Sequence, residues 1–288
     1  EGNREKEINF SVVTNLNNAT DEILHYLVRN NIQVCSSLDG PEELHNHNRR
    51  LTGGNSWKQT VDNFQKILKL QEEGVAGHYF SKPNLLLTVS QKSLEYPREI
   101  VDAYLELEQS LIAIRPLNPF GFASNKVLGS IYSADEFLDF YRQAMDYIVE
   151  INKGGTLFIE QISAILLSKI LLQKSTNYLD IRSPCGAGIG QIAIDYDGRL
   201  YTCDEGRMLA QMGNDTFCIG QLPHTNFGLT VNHPAVQACA VASCLEANPG
   251  CEQCVYRPYC GQCPVYNYSE QGNLFGAMPT NQRCQITK

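Results

Sequence analysis

The sequence predicts an α/β protein in two parts: a parallel sheet with helices outside it, then a smaller cysteine-rich α+β part. Three observations predict this. Short apolar runs alternate with segments of helical spacing through the first half. The texture then changes to glycine, cysteine and tyrosine with short strands. Ten of the eleven cysteines fall between Cys185 and Cys284, with Cys35 alone near the start. The boundary is expected near 175–184, giving parts at 1–180 and 181–288.

The run INFSVVTN (Ile8 to Asn15) reads as a buried parallel strand. ATDEILHYLVRN has helical spacing, with Ile23, Leu24, Leu27 and Val28 on one face. IQVCSSLDG (Ile32 to Gly40) is a second strand ending in a polar turn. SWKQTVDNFQKILKLQEEG opens with a cap expected at Ser56 and stops at Gly74. LLLTVS (Leu85 to Ser90) makes a third strand, and PREIVDAYLELEQ starts a helix on its proline. SLIAIRPL (Ser110 to Leu117) is a fourth strand, followed by helices over Ser133 to Ile151 and Phe158 to Gln173. This β-α-β-α rhythm implies a parallel sheet with helices packed outside it. A strand almost at residue 8, whose Thr14-Asn15 end already looks functional, points to the C-terminal part of a larger, partial (β/α) TIM-like barrel.

Length and charge bound the function. A chain of 288 residues buries a sizeable core. A formal net charge of −8 argues against a general nucleic-acid or anionic-membrane binder. No apolar run approaches the roughly 18 residues of a membrane span. EGNREKEINF is charged and carries no secretory pattern, so a cytoplasmic location is expected.

In parallel α/β sheets, ligands gather at the carboxyl ends of strands. Those ends read Thr14-Asn15, Ser36-Ser37-Leu38-Asp39-Gly40 and Arg115-Pro116-Leu117-Asn118, with His45 and Arg49 beyond the second. Each is polar where an apolar strand stops. Ordinary turn chemistry would account for any one of them; three on one predicted face favour a site.

The cysteines form two patterns. Cys185 is followed by twelve residues, Gly198, four residues and Cys203; between them IAIDYDGRLYTC reads as a hairpin turning at Asp197-Gly198. The second pattern is Cys251-x2-Cys254-x5-Cys260-x2-Cys263, with Cys284 twenty-one positions on. A reducing compartment keeps such thiols free unless a metal claims them. A disulfide framework would need export and would leave one of eleven unpaired. Zinc and iron–sulfur clusters both use cysteine tetrads. Zinc in a non-catalytic interaction module on an α/β scaffold is therefore the rival reading. Cys218, Cys239 and Cys244 remain as further ligands or buried thiols.

The order CX12GX4C, CX2CX5CX2C and a final Cys resembles the SPASM domain of radical S-adenosylmethionine (SAM) peptide-modifying enzymes. The family form has three residues, not two, before the position of Cys263. SLDGPEELHNHNR, LLLTVS and AIRPLNPFGFA also resemble family segments, and the ending looks closest to the maturase of the His-Xaa-Ser peptide system. The resemblance implies two auxiliary [4Fe–4S] clusters, one on Cys185, Cys203 and Cys263, the other on Cys251, Cys254, Cys260 and Cys284. The usual extra cysteine of the first falls on Gln191, leaving either an open iron or a ligand from Cys218, Cys239 or Cys244. It further implies a SAM pocket lined by Asn15, Ser37, Asp39 and Arg49. The Arg49 fork suits the SAM carboxylate, with Arg50 an adjacent competitor. Asp204, directly after Cys203, matches a suspected catalytic base.

The intact enzyme would reduce SAM to a 5′-deoxyadenosyl radical that abstracts hydrogen from a ribosomally synthesised peptide or protein. Its electrons would come from a donor such as flavodoxin or ferredoxin. The CxxxCxxC motif of the catalytic cluster has no counterpart among these residues. A third cluster is therefore expected in a missing N-terminal part, and this segment alone is expected to be inactive.

Overall fold

A computed structural model describes residues 7–75, 82–121, 132–175 and 178–288. Phe122 and Ala123 of the AIRPLNPFGFA stretch, and residues 176–177 of the expected boundary zone, lie outside the described residues. The chain forms two compact units, Glu1–Pro116 with Asp139–Ala164, and Leu117–Leu138 with Ile165–Lys288. None of the described helices is long and apolar enough to cross a membrane.

The first unit begins with β1 (Ser11–Thr14), α1 (Asp21–Arg29), β2 (Gln33–Ser37), α2 (Glu42–Asn48) and α3 (Ser56–Glu72). It continues with β3 (Asn84–Val89), α4 (Pro97–Glu106), β4 (Leu111–Ile112) and β5 (Ile114–Pro116). The helix α5 (Ala134–Lys153), the strand β6 (Ile159–Glu160) and the helix α6 (Gln161–Leu172) follow, α5 and α6 each contributing residues to both units. The sheet order is β1-β2-β3-β5, every pairing parallel, as the strand–helix alternation predicts. Among the described residues this sheet is open, and the run from Ile8, expected to be a buried strand, is instead the edge strand β1, with Ile8, Phe10 and Val13 exposed, Val13 by 70%. Leu87 and Val89 of β3, by contrast, are fully buried.

Local chemistry sets the helix ends. The Thr20 hydroxyl accepts the Ile23 N–H, while Asp21 and Glu22 open α1 and Arg29 closes it, matching the helix dipole. The buried seam of α1 is Leu24 and Val28; Ile23, expected on that face, is exposed. The cap of α3 is Asn55, not the expected Ser56: the Asn55 side chain accepts the Lys58 N–H at 2.8 Å. Ser56 becomes the first helical residue, its hydroxyl 3.2 Å from His45 Nε2. Gly74 follows α3 at φ +75°, a left-handed position that glycine fills without strain.

The expected fourth strand is two strands. Leu111–Ile112 pairs with β6 and Ile114–Pro116 with β3, so the run changes neighbours at the buried Ala113. Glu160 ends β6 with a buried carboxylate that is fully engaged: it accepts N–H groups of Ile162 and Ser163 at the start of α6, and the Tyr141 hydroxyl. N–H groups of a first helical turn, which have no partner within the helix, thus offset the cost of burying the charge.

The second unit holds an antiparallel sheet of β7 (Ala193–Ile194), β8 (Arg199–Tyr201) and β9 (Cys218–Gln221). Its helices are α7 (Asp204–Gln211), α8 (Phe227–Val231), α9 (Pro234–Ala242), α10 (Pro264–Gln271) and α11 (Gln282–Thr287). The hairpin turns where predicted, with Gly198 at φ +84°. One core gathers Phe120, Ala187, Cys203, Leu209, Phe217, Cys239, Val265 and Tyr266; another gathers Leu200, Ile219 and Val236.

Candidate functional site

Cys251, Cys254, Cys260, Cys263 and Cys284 line one hollow, together with Leu245 and Met278. Local turns place them. Cys254 N–H bonds back to the Cys251 carbonyl at 3.0 Å, and a short 3-10 turn, Arg257–Tyr259, delivers Cys260. Asn281 caps α11 by accepting the Cys284 N–H at 3.2 Å, which fixes the remote fourth thiol. Burial pushes the Cys260 thiol up to about 11, and the nearby Cys284, Cys251 and Cys254 add to the shift.

Cys203, Cys263, Cys185 and Cys239 meet in the other core. Two of them cap helices. Cys203 Sγ accepts the Gly206 N–H at the start of α7, and Cys263 Sγ accepts the Tyr266 N–H at the start of α10, both at 3.4 Å. A helix start favours the thiolate that a metal requires. Burial works the other way, raising Cys203 and taking Cys239 to about 12 and Cys263 to about 11. Metal binding would therefore displace thiol protons.

Among the described residues, no three Cys, His, Asp or Glu side chains are close enough to hold a single metal ion. Tetrahedral zinc, at about 2.3 Å from each sulfur, needs its ligands drawn tightly together. A four-iron cube spaces its thiolates more widely around its corners, and the hollow lined by Cys251, Cys254, Cys260 and Cys284 carries the thiol chemistry such a cluster uses.

Asp204 is the first residue of α7, exposed, with its Oδ1 held by Arg207 Nε and Nη2 at 2.9 and 2.8 Å. Cys218 and Cys244 face elsewhere: Cys218 Sγ lies 3.8 Å from the Gly220 carbonyl, and Cys244 Sγ lies 3.5 Å from the Glu246 carboxylate.

In the first unit, the ends of β1 and β2 carry Asn15 and Ser37. Asn15 is exposed, and its carbonyl accepts the Thr60 hydroxyl at 2.8 Å. Ser37 is half-buried at the last position of β2. Asp39 is 2% exposed and takes the Arg49 fork bidentately, Nε to Oδ2 at 2.9 Å and Nη2 to Oδ1 at 3.1 Å. The fork expected for a ligand carboxylate is thus set by a protein one; the Nη1 edge is not used in this pair. His45 supports the turn, its Nδ1 accepting the Asp39 N–H at 3.3 Å. Burial drops its pKa to about 4, so the ring is neutral and can accept.

Sequence reasoning missed Asn48 and Ser90. Ser90, just past β3, donates to Asn48 Oδ1 at 2.9 Å, while the buried Asn48 Nδ2 has no partner among the described residues. An unsatisfied buried donor beside these strand ends suits a polar ligand. The polar end of LLLTVS was the available signal for Ser90.

No family model matches the chain. It is 22% identical over 276 residues to an uncharacterized protein of Archaeoglobus fulgidus, covering 95% of this chain and 60% of that one. It is 26% identical over 180 residues to a cysteine-type anaerobic sulfatase-maturating enzyme of Clostridium perfringens, covering 62% of this chain and 45% of that enzyme. The chain thus spans about half the length of the curated relatives it matches. Among solved structures it superposes on native anSMEcpe with bound AdoMet and Kp18Cys peptide at TM-score 0.75 and 19% identity, covering 99% of this chain and 73% of that one. It also superposes on Streptococcus suis SuiB bound to precursor peptide SuiA at TM-score 0.58 and 13% identity, covering 96% and 58%. At these identities the likeness is one of fold.

Proposed function

We propose that the chain is part of a radical SAM maturase that modifies a ribosomally made peptide or protein, with residues 1–180 as the later part of its barrel and 181–288 as a SPASM domain. The observation that carries the reading is the gathering of the seven motif cysteines into two groups, one of them around a single hollow. Fold likeness to structures holding AdoMet and peptides supports it. So does the relative that matures sulfatases. The ending of the chain favours a maturase of the His-Xaa-Ser type, working in the cytoplasm and drawing electrons from a flavodoxin or ferredoxin.

In this reading, bound SAM reduced by an iron–sulfur cluster supplies the hydrogen-abstracting radical. The chain's own residues do the positioning. Asn15, Ser37 and the Asp39–Arg49 pair present polar groups at the strand ends, and the Nη1 edge of Arg49, which the Asp39 pair does not use, would hold a carboxylate. The pair fixes the guanidinium before ligand arrives, so little side-chain entropy remains to be lost. Cys251, Cys254, Cys260 and Cys284 hold one auxiliary cluster; Cys185, Cys203 and Cys263 hold the other. Asp204, next to Cys203 in the chain and held by Arg207, would serve as the proton acceptor.

Anaerobic reconstitution with iron and sulfide tests the reading. A brown protein with broad absorbance near roughly 400 nm, as cysteine-ligated clusters give, and SAM retention weakened in Arg49→Lys are the expected results. Stoichiometric zinc without iron would overturn it in favour of an interaction module.

A further inference from the structure

The seven motif cysteines leave the first group one sulfur short of a tetrad. Three cysteines are available to complete it, and they differ in place. Cys218 sits on β9 beside the Gly220 carbonyl, and Cys244 faces Glu246. Cys239, wholly buried on α9, shares one core with Cys203, Cys185 and Cys263.

We propose that Cys239 supplies the fourth thiolate of the first auxiliary iron–sulfur cluster, joining Cys185, Cys203 and Cys263 and closing that cluster to substrate. The inference rests on the maturase reading above.

The backbone around Cys239 is built to hold this arrangement. Ser243, one turn further along and also fully buried, accepts the Cys185 N–H at 3.0 Å and donates to the Cys239 carbonyl at 2.6 Å. One hydroxyl thus ties the Cys185 backbone to the turn that carries Cys239. Ser183 adds a second stitch, accepting the Leu245 N–H at 3.0 Å. On the other side Gly188, three residues after Cys185, lies so close to Val236 of α9 that any Cβ would strike both valine methyls. Gly188 N–H in turn bonds the Thr202 carbonyl, next to Cys203. The Thr202 hydroxyl lies 3.8 Å from Cys203 Sγ. The loop bearing Cys185, the strand end bearing Cys203 and the helix bearing Cys239 are therefore one fixed assembly. Binding exchanges each thiol proton for a sulfur–iron bond. A cluster with four thiolates offers no iron to a substrate, and electron passage is the role left to it.

The test uses the full 288-residue chain, reconstituted anaerobically, with Cys239→Ala, Cys239→Ser and Cys244→Ala as variants. The wild type should hold about eight irons in two four-iron clusters, and added cyanide should leave its reduced EPR spectrum unchanged. Cys239→Ala should lose iron and give one cluster a spectrum that shifts with cyanide; Cys239→Ser should fall between. Cys244→Ala should match the wild type. Iron content and spectra in Cys239→Ala equal to the wild type would overturn the proposal. So would a cyanide shift in the wild type itself, a result that stands even where the alanine variant fails to fold. A wild type that takes up zinc and no iron overturns the maturase reading along with the proposal.

Discussion

Replacing Gly188 by alanine tests how tightly the Cys185 loop is held to α9. Two costs combine. Gly188 has φ +74°, and a side chain there costs about 1–2 kcal/mol. The new Cβ would also meet Val236, overlapping Cγ2 and lying 2.9 Å from Cγ1. Overpacking of that kind costs about 1–3 kcal/mol. The sum is about 2–5 kcal/mol, a large share of a domain's stability. The two terms separate in a double-mutant cycle. Val236→Ala removes both methyls, after which the nearest remaining valine atom is Cβ at 3.1 Å, a contact that a small shift relieves. The double variant should therefore keep the backbone cost and lose the clash. A coupling of about 1–3 kcal/mol in urea midpoints, measured anaerobically on the apo chain, is the expected result. Iron content after reconstitution should fall in Gly188→Ala and recover partly in the double variant. Additive free energies would show that the loop and α9 do not touch as described, and the case for Cys239 would weaken with them.

Other perturbations give sharp outcomes. His45 is neutral in the folded chain with a pKa of about 4, against 6.5 unfolded; the unfolded state takes up the proton first as pH falls. Its contribution is fully present above 6.5 and fades toward 4, by about 3 kcal/mol at most, so urea midpoints should fall less between pH 7.5 and 5 in His45→Gln than in the wild type. Gly261→Ala would drive a Cβ against the Asp180 carbonyl and to 2.8 Å from Arg182 N; both are backbone, so a loss of at least about 1–3 kcal/mol is expected in thermal or urea melts. Ser243→Ala leaves the Cys185 N–H and the Cys239 carbonyl without this partner and should cost about 1–3 kcal/mol in the same melts.

Most of the sheet was legible because parallel strands are apolar runs between turn residues, and VVT, QVCSS and LLLTV each stand out that way; the burial expected of the first was not met, because β1 lies at the edge of the sheet. The split of SLIAIRPL was not legible, because its two halves differ only in which strand they pair with. The helix α2 was hidden for another reason: EELHNHN has no apolar stripe, and of its seven residues only Leu44 and His45 are buried. Ser56 misled because two capping residues stand side by side and geometry chose Asn55. The motif spacing grouped seven cysteines; Cys239 falls outside any spacing, and only the approach of α9 to the Cys185 loop brings it in.

The departure of this sequence from the SPASM pattern, two residues instead of three between Cys260 and Cys263, has a physical account in those two residues. Both cysteines border the hollow, but Cys260 packs with Cys251 and Cys284 while Cys263 caps α10 and packs with Cys203 and Cys239, so the spacer must turn the chain between them in a short span. Gly261 does this against the backbone of Asp180 to Arg182, at an approach that only glycine permits. Gln262 is buried, and its amide is fully used: Nε2 donates to the Phe275 carbonyl at 2.7 Å, and Oε1 accepts from Asn248. A buried amide satisfied on both ends fixes one orientation and one register. The short spacer is therefore held at both of its residues, Gly261 by its backbone contact and Gln262 by its amide.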